Sequence, residues 1–350
     1  VEVLFYYKMA TGKLLVLTAL VAAAGAATSH GPFTEDFVKF LEKNPERNEY
    51  ALTAFKEYGT TGTFGGRATK DSKIAQQPVV FVHGNSDSAL HHSAMASGWT
   101  KSVEHFKAHQ YSGAELYGLT YGGRDINLSL QSSITCRNLL GLRRFIEAIL
   151  EYTQAEKIDV VAHSMGVTLA RKAIKGGTMH LSGESCNLGE SISDKVDALV
   201  AISGANYGMC MCLMAGLTET PACGQAGYAP GACGNKNVTM TACMEAEAKC
   251  DGEADHASVL RAVNAVVADD DEEDDEKEAD FVASIWSNDD PILGKDNLVW
   301  GRKTSHIAGS DLTHGYAGLD HFQSKDDTVR DQLALVSKHS LHGGRAKRHH

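Results

Sequence analysis

The residues with the clearest chemical potential lie in the segment Val161-Ala162-His163-Ser164-Met165-Gly166. A serine on a sharp strand-to-helix turn presents its hydroxyl as a nucleophile, and so tight a turn needs small residues two positions either side. Ala162 and Gly166 occupy those positions. The more frequent pattern begins with glycine, so Ala162 departs from it by one methyl group. The turn also sets Ser164 at a helix N-terminus, where the amide of Met165 can help stabilise an oxyanion. Serine is equally a favoured N-cap. The segment alone therefore supports two readings, nucleophile or cap.

A serine hydroxyl is a weak nucleophile until a base takes its proton, and a third group must orient that base. For a nucleophile on such a turn the chain order is serine, then an acid past a late strand, then a histidine in a loop. Asp290, in Ser287-Asn288-Asp289-Asp290-Pro291-Ile292, fits the acid, with Asp289 as the neighbour able to take the role. Either is also good turn chemistry. His321, in Gly318-Leu319-Asp320-His321-Phe322, fits the base. Of the sixteen histidines its rivals are His306 and His314, expected in the preceding loop. His163, beside the serine, is expected to face away and pack. The second oxyanion amide is expected from the loop after an early strand. Asn85, in His83-Gly84-Asn85-Ser86, fits through its backbone N–H, against the competing reading of a plain glycine turn.

These residues need elements to carry them. Pro78 to Val82 is a β-branched run that feeds the His-Gly-Asn loop, and Glu115 to Leu119 is a second short strand. Leu139, Leu142, Phe145, Ile146, Ile149 and Leu150 recur at helical spacing and predict an amphipathic helix of about five turns. Ile158 to Ala162 is apolar on both faces, as a central parallel strand should be. Val167 to Ile174 reads as a helix stopped by Gly176-Gly177. Val196 to Ile202, Phe281 to Trp286 and Asn297 to Trp300 read as further strands. Strands alternating with helices imply an α/β fold, a mostly parallel sheet covered on both faces. The rhythm breaks between Tyr207 and Asp280, a stretch rich in Gly, Cys and Met that reads as an insertion. No internal repeat is present.

With 350 residues and 43% hydrophobic content, the chain can fill a sizeable core. Its net charge of −11 is local: Asp269 to Asp280 holds ten acids and one lysine. That run reads as a solvated loop, and its consecutive acids lack the spaced ligands and glycine of a calcium loop. Only Arg345, Lys347 and Arg348 form a basic cluster, in the tail, which argues against a nucleic-acid partner.

Met9, Lys13 and the apolar run Leu14 to Ala27, with small residues at Ala24, Ala26 and Ala27, predict a secretory signal peptide too short to span a bilayer. Residues 1–8 then precede the natural start. Eight cysteines in a secreted chain suggest disulfides, and the cluster between 210 and 250 lacks the paired spacing of a zinc site. Asn127-Leu128-Ser129 and Asn237-Val238-Thr239 are glycosylation sequons compatible with secretion. The expected organisation is a leader over 1–29, one domain over 30–340 with a cap insertion at about 207–280, and a basic flexible tail over 341–350.

With those residues assembled, the segments PVVFVHGNSD, KIDVVAHSMGV, ISGANYG, SIWSNDDPI and GLDHF resemble the class 2 lipase family of nematodes and bacteria. Small bacterial lipases with an Ala-His-Ser-Met-Gly box are similar, as is an extracellular polyhydroxybutyrate depolymerase. The resemblance runs from about Gly31 to His321 and is poor from Cys210 to Asp280. Phe64-Gly65-Gly66 and Lys175-Gly176-Gly177 resemble the nematode branch. The resemblance implies the α/β-hydrolase fold, with nucleophile Ser164, base His321 and oxyanion amides at Asn85 and Met165. It puts the acid on Asp290, because the family's serine-x-x-aspartate aligns Ser287 with Asp290. The acidic run and the cysteine-bearing insertion depart from the family pattern, which leaves the substrate open.

The expected function is a secreted lipase or carboxylesterase that hydrolyses acyl esters of the glycerolipid kind through an acyl-enzyme. No cofactor and no metal are expected, and the partner is a lipid or ester substrate, met at a lipid–water interface. A polyester depolymerase would use the same site. A non-catalytic binding protein on a hydrolase scaffold is the alternative from another class.

Overall fold

The computed structural model describes residues 30–343 apart from 182, 235, 246–249, 251–253 and 266–276, together with the backbone of two short N-terminal strands. Those two, Phe5–Lys8 and Leu14–Leu17, pair antiparallel. The rest of the expected signal peptide lies outside the described residues, as does the tail from 344 onward.

Seven strands form the main sheet: β1 (Thr63–Phe64), β2 (Val79–Val82), β3 (Leu116–Leu119), β4 (Ile158–His163), β5 (Val196–Ile202), β6 (Phe281–Ser287) and β7 (Leu312–Tyr316). Their order is β7-β6-β5-β4-β2-β3-β1, with every pair parallel except β1 against β3. The chain steps from β2 outward to β3, then crosses back to β4 on the other side. Such a switch point opens a crevice beyond the carboxyl ends of the strands, so the loops after β2 and β4 face each other there.

Alternate residues of each strand feed separate cores, as the period of two requires. Val80, Val82, Val160, Ala162, Leu199 and Ala201 pack on one face with α1 (Glu35–Leu41), α2 (Glu49–Glu57), α4 (Cys136–Thr153) and α5 (Met165–Lys175). Phe81, Val161, Val200, Ala283 and Ile285 pack on the other with α3 (Thr100–Lys107) and the C-terminal helix Val329–Lys338. Because both faces are covered, β4 and β6 are buried at every position. Helix α4 runs for 18 residues, the five turns its spacing predicts. Thr135 caps its start through a bond from Asn138 N, and Gln154, left-handed at φ 59°, ends it.

The eight cysteines are all paired: Cys136–Cys186, Cys210–Cys243, Cys212–Cys223 and Cys233–Cys250. The last three lie within the insertion. Its helix Ser258–Asn264 packs on α5, and Arg171 of α5 holds it in place. The guanidinium of Arg171, buried, donates to Asn206 Oδ1 at 2.9 Å, Asn264 Oδ1 at 2.7 Å and Glu278 Oε1 at 2.7 Å. Three separate parts of the stretch between β5 and β6 thus converge on one side chain.

Three expectations need correction. Asn297 to Trp300 does not join the sheet: only Leu298–Val299 is extended, paired with Arg302–Lys303. Positive φ at Asn297 and Trp300 breaks the strand on both sides, and Trp300 Nε1 donates instead to Pro230 O of the insertion at 3.0 Å. The seventh strand is Leu312–Tyr316, so His314 is a strand residue rather than a loop residue. The acidic run is not solvated throughout: residues 269–276 lie outside the described residues, but Glu278 is buried on Arg171 and Asp280 pairs with Lys157. A mostly parallel sheet, helices on both faces and a sharp turn from β4 into α5 make this an α/β-hydrolase fold.

Candidate active site

The turn from β4 to α5 forces Ser164 to φ 55° and ψ −125°, a conformation that L side chains rarely adopt and that must be held by its surroundings. Ser164 N donates to Ile202 O of β5 at 2.9 Å, and Val167 N donates to Ser164 O at 3.0 Å. The hydroxyl makes no capping bond to the helix. Ser164 is therefore not a side-chain cap of α5. Gly166 shows why small neighbours are needed: a Cβ there would lie 2.4 Å from His83 O and 2.5 Å from Val82 O. Ala162, fully buried between β2 and β5, has room for its methyl.

The loop after β2 passes directly over this turn. A Cβ on Gly84 would come within 2.9 Å of Ser164 Cβ. Asn85 follows, at the second position of the turn closed by Asp87 N to Gly84 O at 3.3 Å, a position whose N–H the turn does not use. Met165 is the first residue of α5, and its N–H has no acceptor within the helix. Asn85 and Met165 line one cavity of about 310 Å3, with Tyr121, Gln131, Thr135 and Arg137. The Asn85 side chain is engaged elsewhere, donating to Ser129 O at 2.9 Å.

Asp290 and His321 are brought together. His321 Nδ1 lies 2.6 Å from Asp290 Oδ2, with both side chains almost fully buried. Asp290 Oδ1 accepts from Ile292 N at 2.8 Å and Leu293 N at 3.0 Å, which fixes the carboxylate. Because a carboxylate only accepts, Nδ1 carries the hydrogen and Nε2 is left as the basic atom of the ring. Asp289 is exposed and its carboxylate accepts from Gly318 N at 2.6 Å instead. His314 stacks edge-on against Tyr316 at 4.5 Å, and His306 N bonds Lys303 O.

His163 packs, as expected, but does not face away from the site. Its Nε2 lies 3.0 Å from His321 O and its ring centroid 4.7 Å from that of His321. The carbonyl can only accept, so Nε2 carries the hydrogen. Burial, with His321 and Lys325 close by, holds this imidazole well below its usual pKa, and it is neutral. The contact places His321 beside the residue that precedes Ser164. The His321 carbonyl also accepts from Ser324 Oγ at 2.7 Å, and Ser324 Oγ accepts from Ser203 Oγ at 2.9 Å. His83, under the Asn85 loop, is held down to about 4 by burial. Its Nε2 accepts from Tyr121 N at 3.0 Å, and its Nδ1 lies 2.7 Å from Gly84 O.

A strained serine under a glycine loop, with a buried Asp–His pair packed against the adjacent His163, has the chemical parts for acyl transfer. The family model for class 2 lipases matches residues 76–334. The chain belongs to the class 2 lipase family. Membership places this lipase-family chain among the ester hydrolases. None of the curated proteins matches it. Among solved structures it is similar to a Paleococcus ferrophilus monoacylglycerol lipase, with 14% identity, 79% of this chain and 98% of that chain covered, and a TM-score of 0.42. It is similar to Aspergillus fumigatus lipase B at 14% identity and a TM-score of 0.38, covering 72% of this chain and 48% of that one. The chain thus spans about half the length of that lipase. A carboxylesterase structure from Nitrososphaera gargenis shares 13% identity over 79% of this chain and 100% of that one, at a TM-score of 0.37.

Among the described residues no group of three or more His, Cys, Asp or Glu side chains is placed to hold a metal ion, and no helix is long and apolar enough to cross a membrane. Reading the sequence missed Arg171, Ser203, Ser324 and the Asp87–Lys325 pair. Each acts by reaching a partner distant in the chain, and no local pattern marks it.

Proposed function

We propose that this class 2 lipase family member is a secreted lipase or carboxylesterase that hydrolyses acyl esters by double displacement at Ser164. His321 Nε2 takes the hydroxyl proton as Ser164 Oγ attacks the ester carbonyl. Asp290 holds the ring and stabilises the imidazolium that forms. The N–H groups of Asn85 and Met165 stabilise the tetrahedral oxyanion. His321 then returns the proton to the leaving alcohol, and water, activated by the same ring, releases the acid. The observation that carries this reading is the buried 2.6 Å contact of His321 Nδ1 with Asp290 Oδ2, packed against His163 next to Ser164.

Glycerolipids are the proposed substrate class. The short helix Ile126–Gln131 exposes Ile126, Leu128 and Leu130 beside the Asn85 loop, and Leu128 is 57% exposed. Met95 is also exposed and lines a surface cavity with Ile126. Apolar side chains standing in water at the edge of the site favour a substrate carried in a lipid–water interface. The insertion over residues 207–280 is proposed as the cap that shapes the acyl pocket. Secretion is supported by the four disulfides, which persist in oxidising compartments.

The test is hydrolysis of a graded series of fatty-acyl esters, with a polyester as one further substrate, by wild type and Ser164→Ala. The wild type is expected to turn over the esters and to be labelled at Ser164 by a fluorophosphonate. The variant should keep its melting temperature and lose both. Turnover retained by folded Ser164→Ala would sink the assignment.

A further inference from the structure

Four residues after His321 the chain buries a lysine completely. Lys325 lies in the short helix Gln323–Asp326, and its ammonium finds one acceptor for each N–H. They are Asp87 Oδ2 at 2.7 Å, Gly98 O at 2.7 Å and Ser97 Oγ at 2.9 Å. Asp87 is satisfied in turn, since its Oδ1 accepts from Ser88 N at 2.8 Å and Gly98 N at 2.9 Å. The indole of Trp99 lies 5.4 Å from the ammonium. Desolvating two charges is costly, and a buried pair is often no more stabilising than apolar side chains of the same volume. Such a pair points to a geometric role rather than to stability alone.

Its placement supplies that role. Asp87 closes the turn that begins at Gly84 and contains Asn85. Lys325 follows Ser324, whose hydroxyl holds the His321 carbonyl. The two loops are 238 residues apart in sequence along this bond. We propose that Asp87 and Lys325 are positioning residues, a buried clamp that sets the oxyanion loop at Asn85 against the base loop at His321. This rests on the reading of Ser164, His321 and Asn85 given above. Neither clamp residue touches the ester. The pair acts by holding the His321 ring and the Asn85 N–H at one fixed separation around Ser164.

The test compares wild type, Asp87→Asn/Lys325→Met, Lys325→Gln and the surface control Lys101→Ala. The double variant removes both buried charges while keeping volume. Lys101 pairs with Asp327 at 2.9 Å in a largely exposed bridge nearby. On a soluble short-chain ester, kcat of the folded double variant is expected to fall about 10- to 100-fold with KM within about twofold. Fluorophosphonate labelling of Ser164 should slow by a similar factor, and Lys101→Ala should leave both unchanged. If the double variant does not fold, Lys325→Gln, which keeps a donor at the site, is judged by the same figures. A folded variant with kcat and labelling near wild type would overturn the clamp. A wild type that neither hydrolyses esters nor labels at Ser164 would overturn the reading of the site beneath it.

Discussion

Asp290 Oδ2 lies 2.6 Å from His321 Nδ1, and the carboxylate next to it in sequence, Asp289, accepts from Gly318 N instead. Two adjacent aspartates thus have separate tasks. One orients a ring and the other ties down the loop that carries the ring. Burial separates them further, because Asp290 is buried and Asp289 is exposed.

That relationship gives the sharpest mutational contrast. Asp290→Asn is expected to leave the fold intact and to lower kcat by about 10^3- to 10^4-fold, as loss of the orienting carboxylate does in other triads. Asp289→Asn should stay within about tenfold, since it touches only the loop. Steady-state kinetics on one soluble ester decides it, and equal losses would overturn the assignment of the acid to Asp290.

Gly166 and Ala162 flank Ser164 but differ in tolerance. Gly166→Ala drives a methyl to 2.4 Å from His83 O, so the turn must open. It should cost about 1–3 kcal/mol in urea unfolding and most of the activity. Ala162→Gly restores the more frequent pattern and should cost about 0.5–1 kcal/mol with activity kept.

Arg171 joins three parts of the stretch between β5 and β6 to α5. Arg171→Met strands the buried Glu278 carboxylate and should destabilise by about 3–5 kcal/mol. Adding Glu278→Gln removes the stranded charge and should recover much of that loss. Chemical denaturation of the single and double variants measures the difference.

Stability should fall with acid. Burial holds His83 to about 4 and His163 well below its usual range, so both are neutral when folded. An unfolded imidazole takes its proton near pH 6.5. The stabilising contribution is therefore full above about pH 6.5 and is lost as pH falls towards 4, by roughly 3 kcal/mol for His83. Melting temperature measured from pH 7 to 4.5 should drop steeply. In His83→Gln, which keeps a donor and an acceptor but cannot titrate, the drop should be shallower; an identical drop would remove His83 as a cause.

How much of this was legible beforehand differs by residue. Ser164, Gly166 and the strand before them are recognisable because a tight turn restricts residue size locally, and β4 is apolar throughout because both its faces are covered. The order serine, acid, histidine is likewise a property of the chain. The strand Leu312–Tyr316 was not legible: its pattern is short and polar, and it is a strand only because β6 offers it an edge. Asn297 to Trp300 misled for the opposite reason, since its apolar residues serve the insertion.

By itself the sequence determined the fold class, the family resemblance and a short set of candidates for the site. Tertiary structure alone put Asp290 rather than Asp289 against His321, turned His163 towards His321, paired the cysteines, and buried Lys325 against Asp87. These depend on which groups meet across the chain after burial. Whether a polar side chain is satisfied or stranded there is a matter of distances that no local pattern encodes.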